Sequence, residues 1–187
     1  MILVTGAVSE VESTTIALNM AARLRDKETP VLLIDAYDHR QENKPRRYTL
    51  LDFIDSDVEA PLGLGDYLAA EDLVEEELLH PIADIQVQAV ICSENTPISE
   101  LLNATKLPKL IDSMKTRFAY ILIDAPALDE GIDTEHLAQY ADTAIYVVKT
   151  RKMNIFTEKK AYKKLEQAGI SIFGTVLTDV QKMYERV

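Results

Sequence analysis

The stretch Met1-Ile-Leu-Val-Thr-Gly-Ala-Val-Ser-Glu-Val-Glu-Ser-Thr-Thr15 decides how the rest of the chain is read. Its first five residues form a short apolar run of the kind found in buried strands. From Ser13 the period changes. Ile16, Met20 and Leu24 recur near one helical face, with Ala17, Ala21 and Ala22 as compact helix formers. Strand, loop and helix in that order form the setting of a phosphate-binding loop of pattern G-x-x-x-x-G-K-[ST]. Gly6 stands at the first position of that pattern and Ser13 at the last, whereas Val11 replaces the second glycine and Glu12 the lysine.

Both replacements fall on the chemistry. A loop of this kind holds phosphate with backbone N–H groups, the positive end of a helix and a lysine. Valine resists the backbone angles that glycine allows, and Glu12 reverses the charge at the contact point. Two unit charges near 4 Å interact by about 4 kcal/mol at an effective dielectric of about 20, so exchanging attraction for repulsion costs up to about twice that. The next cation, Arg23, lies eleven residues up the helix, about 16 Å away at 1.5 Å per residue. These residues predict impaired phosphate binding, with the helix N-terminus at Ser13 and Thr14 left empty or holding an anion weakly. Taken alone, the stretch also suits any α/β domain, in which Glu12 stands near a helix N-terminus because carboxylates are favoured there.

At 187 residues and 47 % apolar content, one globular domain over residues 1–187 is expected. The net charge of −11, from 31 acidic and 20 basic residues, argues against a nucleic-acid surface and against docking on anionic lipid. Cys92 is the single cysteine, which excludes an internal disulfide and a cysteine zinc cluster and suits a reducing, cytoplasmic compartment. The opening lacks the basic region of a signal peptide. No apolar run approaches the ~20 residues needed to span a bilayer, so no direct membrane insertion is expected. A start directly on the first strand suggests a piece of a longer protein.

Further along, Thr29-Pro30 ends the first helix, and Val31-Leu-Leu-Ile34 is an apolar strand ending in Asp35. A carboxylate at such a strand end sits where α/β folds bind ligands, although a solvated strand-end aspartate reads equally well. Residues 38–47 form a polar, basic loop. Short helices are expected over 48–54, over 67–70 with Asp66 as cap, and over 73–79, where His80-Pro81 would end the last; His80 is read as a surface residue. Residues 85–91 read as a strand running into a buried Cys92, and 97–102 and 107–116 as helices. Phe118-Ala-Tyr-Ile-Leu-Ile-Asp124 is a second buried strand with a terminal aspartate, of the kind that works on Mg²⁺ or its water. Residues 132–140 are helical, 144–148 a strand, 155–168 a helix closed by Gly169, and 170–177 the last strand, with 178–187 trailing helically. The tyrosines at 48, 67, 120, 140, 146 and 162 read as packing residues. Strands alternating with helices specify an α/β, three-layer fold: a mostly parallel central sheet with helices on both faces. Asp35, Asp124 and the Gly6–Ser13 loop should converge at the carboxyl ends of its strands.

With these pieces placed, the chain resembles the cytoplasmic kinase domain of bacterial tyrosine kinases (BY-kinases) of capsule and exopolysaccharide assembly. That family belongs to the deviant Walker A P-loop ATPases, together with MinD and ParA. Val4-Thr-Gly-Ala-Val-Ser-Glu-Val-Glu-Ser-Thr-Thr15 resembles V-T-S-x-x-P-G-E-G-K-S-T-T, and Val31-Leu-Leu-Ile-Asp-Ala-Tyr37 the Walker A′ strand V-L-L-I-D-A-D. Gly63-Leu-Gly-Asp-Tyr-Leu-Ala69 resembles G-L-S-D-x-L-x, and Pro97-Ile-Ser-Glu-Leu-Leu102 resembles N-P-x-E-L-L. Tyr120-Ile-Leu-Ile-Asp-Ala-Pro126 resembles the Walker B strand Y-V-I-I-D-T-P-P, and Gly174-Thr-Val-Leu-Thr178 the closing G-x-V-L-N.

The resemblance implies a P-loop NTPase-like fold, with vestigial nucleotide positions at Gly6, Glu12, Ser13, Thr14, Asp35 and Thr178, and vestigial metal positions at Ser13, Asp35 and Asp124. The departures fall on the same set: Glu12 for lysine, Val11 and Ser9 for glycines, Tyr37 for the second Walker A′ aspartate, Thr178 for asparagine and Ala125 for threonine. Fold residues are kept and nucleotide residues lost, the pattern of a pseudo-enzyme with no catalytic residue. The expectation is an inactive kinase-like scaffold or regulator in polysaccharide export. No cofactor is expected. Its partner would be a membrane polysaccharide co-polymerase or an active kinase paralogue, with a homo-oligomer left open, no nucleic acid bound, and a place at the inner membrane only through a partner or a further segment. Two alternatives bind ATP and Mg²⁺: an active tyrosine autokinase or ATPase with unusual loop residues, and a MinD/ParA-like positioning ATPase.

Overall fold

The computed structural model describes residues 1–8, 12–26, 28–37, 50–54, 61–70, 72–92, 98–129 and 133–180. Its centre is one seven-stranded sheet in the order β3-β4-β2-β5-β1-β6-β7. The strands are β1 (Ile2–Gly6), β2 (Val31–Asp35), β3 (His80–Ile82), β4 (Val87–Val90), β5 (Tyr120–Asp124), β6 (Thr143–Lys149) and β7 (Ile172–Thr178). All neighbours run parallel except β3, which is antiparallel to β4. The helices are α1 (Ser13–Leu24), α2 (Leu64–Ala69), α3 (Ile98–Leu102), α4 (Leu107–Arg117), α5 (Asp133–Ala138) and α6 (Ile155–Gln167).

Side-chain alternation along the strands sorts the core into two faces. Val4, Leu33, Leu122 and Val147 point to the side covered by Ala17 and Ala21 of α1. Leu3, Ile123, Tyr146 and Val148 point the other way, under Leu137 of α5 and Ala161 and Leu165 of α6. On that second side Leu32 and Ile121 meet Leu64 of α2 and Leu110 and Met114 of α4. Central strands covered on both faces carry continuous apolar runs, which is why β1, β2, β5 and β6 are legible in the sequence. The expected three-layer, mostly parallel α/β architecture is the one observed.

Several local expectations are corrected. The helix expected over 73–79 is a 3-10 turn at Glu75–Leu78. His80-Pro81 does not end an element; it begins the edge strand β3. Proline is tolerated there because an edge strand has one side without ladder bonds. His80 is buried rather than on the surface, with Nε2 2.8 Å from the Leu62 carbonyl oxygen. The strand expected over 85–91 is confined to Val87–Val90, because Gln86 turns through a φ of 52°. Helix α2 begins three residues before the expected 67, with Asp66 Oδ2 accepting from the Gly63 N–H at 2.8 Å inside its first turn. The described part of the segment 48–54 is a 3-10 turn, Leu50–Phe53. Tyr120 and Tyr162 are exposed rather than packed, whereas Tyr146 is buried. The basic segment 38–47, Tyr48, Val11 and residues 181–187 lie outside the described residues.

Helix α6 is pinned at both ends and in the middle. Asn154 Oδ1 accepts from the N–H of Phe156 at 3.0 Å and of Thr157 at 3.3 Å, an N-cap. Gly169 closes the helix at a φ of 80°, which glycine adopts without strain. The Tyr146 hydroxyl donates to Glu158 Oε2 at 2.5 Å, tying β6 to α6. Burial, then the Glu158 carboxylate, hold the Tyr146 pKa above its ordinary value. The neutral phenol is therefore the folded form. Its contribution is complete below the unfolded tyrosine value near 10 and is lost as pH rises through the higher folded value. Tyr146→Phe should cost about 1–2 kcal/mol at neutral pH and flatten the alkaline fall of the melting temperature, measured by thermal melts from pH 7 to about 11.

Candidate functional site

The sheet order sets the location. β1 lies between β5 and β6, and its carboxyl end opens into the loop that leads to α1. Gly6 is the last residue of β1, and its carbonyl accepts from Leu128 N–H at 2.9 Å. The loop after β5 is fixed in turn: the Pro126 carbonyl accepts from Thr5 Oγ1 at 2.7 Å and from Thr134 Oγ1 at 2.8 Å. Parallel register sets Asp35 directly beside Asp124 at the ends of β2 and β5. Both carboxylates are fully buried, as is Ser13, and Thr14 nearly so.

Tyr37 enters this cluster from the end of β2. Its backbone N–H donates to Asp35 Oδ1 at 3.0 Å, a local turn that carries the chain off the strand. Its side chain is buried, and the hydroxyl lies 2.8 Å from the Ala125 carbonyl oxygen, to which it donates. The same hydroxyl is 2.9 Å from Ser13 Oγ, which therefore serves as the donor of that bond. Thr14 Oγ1 donates to Asp124 Oδ2 at 2.5 Å. Ser13, Thr14, Asp35, Tyr37 and Asp124 thus form one buried cluster at the first turn of α1.

Glu12 stands just outside the cluster, at the N-cap of α1, with no side-chain capping bond. Its Oε1 lies 3.6 Å from Lys149 Nζ at the end of β6. The described loop residues supply no cation to Glu12; one comes instead from a neighbouring strand, far along the sequence. Glu12 is about half exposed, and such a pair contributes at most about 1 kcal/mol. Lys149 is paired across the sheet with Thr178 of β7. Thr178 sits two strands from β1, and its buried Oγ1 has no hydrogen-bond partner among the described residues. Sequence reasoning found Ser13, Thr14, Asp35 and Asp124 but missed Lys149, and it read Tyr37 only as a lost aspartate. The signal for Lys149 was its place at the end of an apolar run, the same signal that marked Asp35 and Asp124.

This geometry, a parallel sheet whose central strand feeds a loop and a helix N-terminus with acids at the adjacent strand ends, defines the P-loop NTPase-like class of α/β proteins. No family model matches the chain. The tyrosine-protein kinase Ptk of Acinetobacter johnsonii is 26 % identical over 184 residues, covering 97 % of this chain and 24 % of the kinase. The chain spans about a quarter of the length of the first curated relatives it matches. Among solved structures, the kinase domain of the Escherichia coli tyrosine kinase Etk superposes with a TM-score of 0.83 at 24 % identity, over 100 % of this chain and 69 % of that one. The cell-division ATPase MinD of Pyrococcus furiosus gives 0.64 at 28 % identity, over 94 % and 70 %. The chain's homologues are bacterial tyrosine-protein kinases, and its fold is the one shared by their kinase domains and MinD.

The Tyr37 hydroxyl joins α1 to the loop after β5 through two buried hydrogen bonds. Tyr37→Phe leaves Ser13 Oγ and the Ala125 carbonyl without that partner. A loss of about 1–3 kcal/mol is expected in urea unfolding; an unchanged midpoint would show that the two bonds are not made in solution.

Proposed function

We propose that this chain is a catalytically inactive, kinase-like P-loop domain that acts as a scaffold or regulator in exopolysaccharide or capsule biosynthesis and export. Its partner in this reading is a membrane polysaccharide co-polymerase or an active kinase paralogue. The observation that carries the reading is the Tyr37 hydroxyl, seated between Ser13 Oγ and the Ala125 carbonyl. In a working P-loop enzyme the serine hydroxyl serves Mg²⁺ and the strand-end aspartate acts on the same ion. Here Ser13 is engaged by a phenol and Asp124 by Thr14. What supports a poor fit to Mg²⁺–ATP is that a phenol is hydrogen-bonded to the serine hydroxyl and that Glu12 stands where the loop pattern has its lysine; the buried Asp124 Oδ1, which accepts no hydrogen bond among the described residues, weighs the other way. Lys149 brings the Glu12 position near neutrality but does not restore the net positive charge that a loop lysine supplies.

The second reading is an active ATPase. Lys149 favours it, because a cation from β6 already reaches the phosphate loop. Isothermal titration with ATP and Mg²⁺ separates the two. The inactive reading expects no heat at nucleotide concentrations near about 0.1 mM, a Kd weaker than about −5.5 kcal/mol corresponds to. Micromolar binding would remove it. Turnover abolished by Lys149→Ala would establish the second reading in its place. The triple variant Val11→Gly, Glu12→Lys, Tyr37→Asp is expected to gain nucleotide affinity by about tenfold or more, roughly 1.4 kcal/mol.

A further inference from the structure

Positive charge is concentrated on one helix. Helix α6 carries four lysines and two glutamates in a chain whose net charge is −11. Two of those six charges are used inside the fold. Glu158 accepts from the Tyr146 hydroxyl, and Lys164 pairs with Glu135 at 2.9 Å. Lys159, Lys160 and Lys163 are exposed and make no ion pair among the described residues.

The helical period places these three together. Phe156, Lys159, Lys160 and Lys163 stand at i, i+3, i+4 and i+7 and share one face. Ala161 and Leu165, both buried, define the opposite face, against the sheet. The shared face therefore points away from the protein. Phe156 projects from it 81 % exposed, and Met153 and Ile155 are exposed beside it at the start of the helix. A phenyl ring set among three unpaired ammonium groups on the outside of a helix contributes nothing to the core.

That combination selects the occupant. A protein partner would need a pocket for Phe156 with acids arranged around it. A lipid interface takes the same side chains without shape complementarity: the ring lies at headgroup level, and the lysine stems follow the apolar boundary while their ammonium groups meet lipid phosphates. The net charge of −11 argues against lipid docking for the chain as a whole, but α6 does not feel the whole. The acidic turn Glu75–Leu78 precedes β3, at the other edge of the sheet from β7. Six strand spacings of about 4.8 Å put those edges about 29 Å apart, and the Debye length at 0.1 M salt is about 10 Å. Nearer acids are mostly engaged: Glu135 by Lys164 and Asp179 by Arg151, with Glu166 exposed in the last turn of α6.

We propose that the outward face of α6 docks on an anionic lipid bilayer, with the Phe156 ring at headgroup level and Lys159, Lys160 and Lys163 on lipid phosphates. The surface does not involve Ser13, Tyr37 or Glu12, so its test is separate from that of nucleotide binding.

The test sediments the intact chain with phosphatidylcholine vesicles, either pure or containing about 40 % phosphatidylglycerol. Binding to the anionic vesicles alone is expected, and it should be lost at about 0.5 M salt. Each lysine near an anionic surface is worth about fivefold in partitioning, so Lys159→Glu with Lys163→Glu should weaken binding by about thirtyfold or more. Lys109→Glu with Lys115→Glu makes the same charge change at exposed positions of α4; it should leave binding within about threefold of the unaltered chain. The chain has no tryptophan, so Phe156→Trp supplies a single reporter, whose emission should move to shorter wavelength on anionic vesicles. No sedimentation with anionic vesicles, equal sedimentation with neutral ones, or equal losses in the α4 and α6 variants would each overturn the proposal. So would capture by soluble polyglutamate in place of vesicles, which would assign the face to an acidic protein.

Discussion

Enclosure of β1 is the constraint from which the rest follows. The strand is hydrogen-bonded to β5 on one side and β6 on the other, and Leu3 and Val4 are fully buried on opposite faces. A strand so placed has one exit for the chain, at its carboxyl end, and that exit lies between the ends of β5 and β6. The first turn of α1 is thereby brought against Asp124 on one side and Lys149 on the other. Residues more than a hundred positions apart become neighbours because parallel register leaves them no alternative.

That proximity decides the electrostatics of the first loop. Near 4 Å at an effective dielectric of about 20, a single charge contact is worth about 4 kcal/mol, far more than an exposed ion pair retains after solvent screening. Lys149 is close enough to offset part of the Glu12 charge, in a half-exposed pair that contributes at most about 1 kcal/mol. In the buried cluster behind them, the Tyr37 hydroxyl bridges one hydroxyl and one carbonyl, accepting from Ser13 Oγ and donating to the Ala125 oxygen.

Much of this was legible in the chain. The apolar runs of β1, β2, β5 and β6 are continuous because both of their faces are covered, and that pattern survives any change at their ends. Asp35 and Asp124 were legible as strand-end acids for the same reason. β3 was not: three residues carry no usable period, and His80-Pro81 reads as a stop until a sheet edge is known to be there. Lys149 was overlooked because its partner is 137 positions away. Tyr37 was noticed as a departure from a motif, but a one-dimensional comparison registers only the lost carboxylate. That its ring length carries a hydroxyl across to Ser13 and Ala125 is a statement about three elements at once, and only the packed fold contains it.

The same cluster bears on why the polar residues of the first turn have stayed. A buried hydroxyl or carboxylate without a partner costs about 1–3 kcal/mol or more. Losing a ligand would therefore favour replacing Ser13, Thr14, Asp35 and Asp124 with apolar residues unless each had gained or kept an internal partner. Ser13 and Asp35 have one through Tyr37, and Thr14 and Asp124 Oδ2 have each other. The buried Asp124 Oδ1 accepts no hydrogen bond among the described residues, so the fold's own hydrogen bonding accounts for Ser13, Thr14 and Asp35 more completely than for Asp124. Thr178 is the second such case. Its hydroxyl is buried at the end of β7 with no partner among the described residues, so internal hydrogen bonding does not explain a threonine at this position, which lies beside Lys149, the residue whose ammonium reaches Glu12.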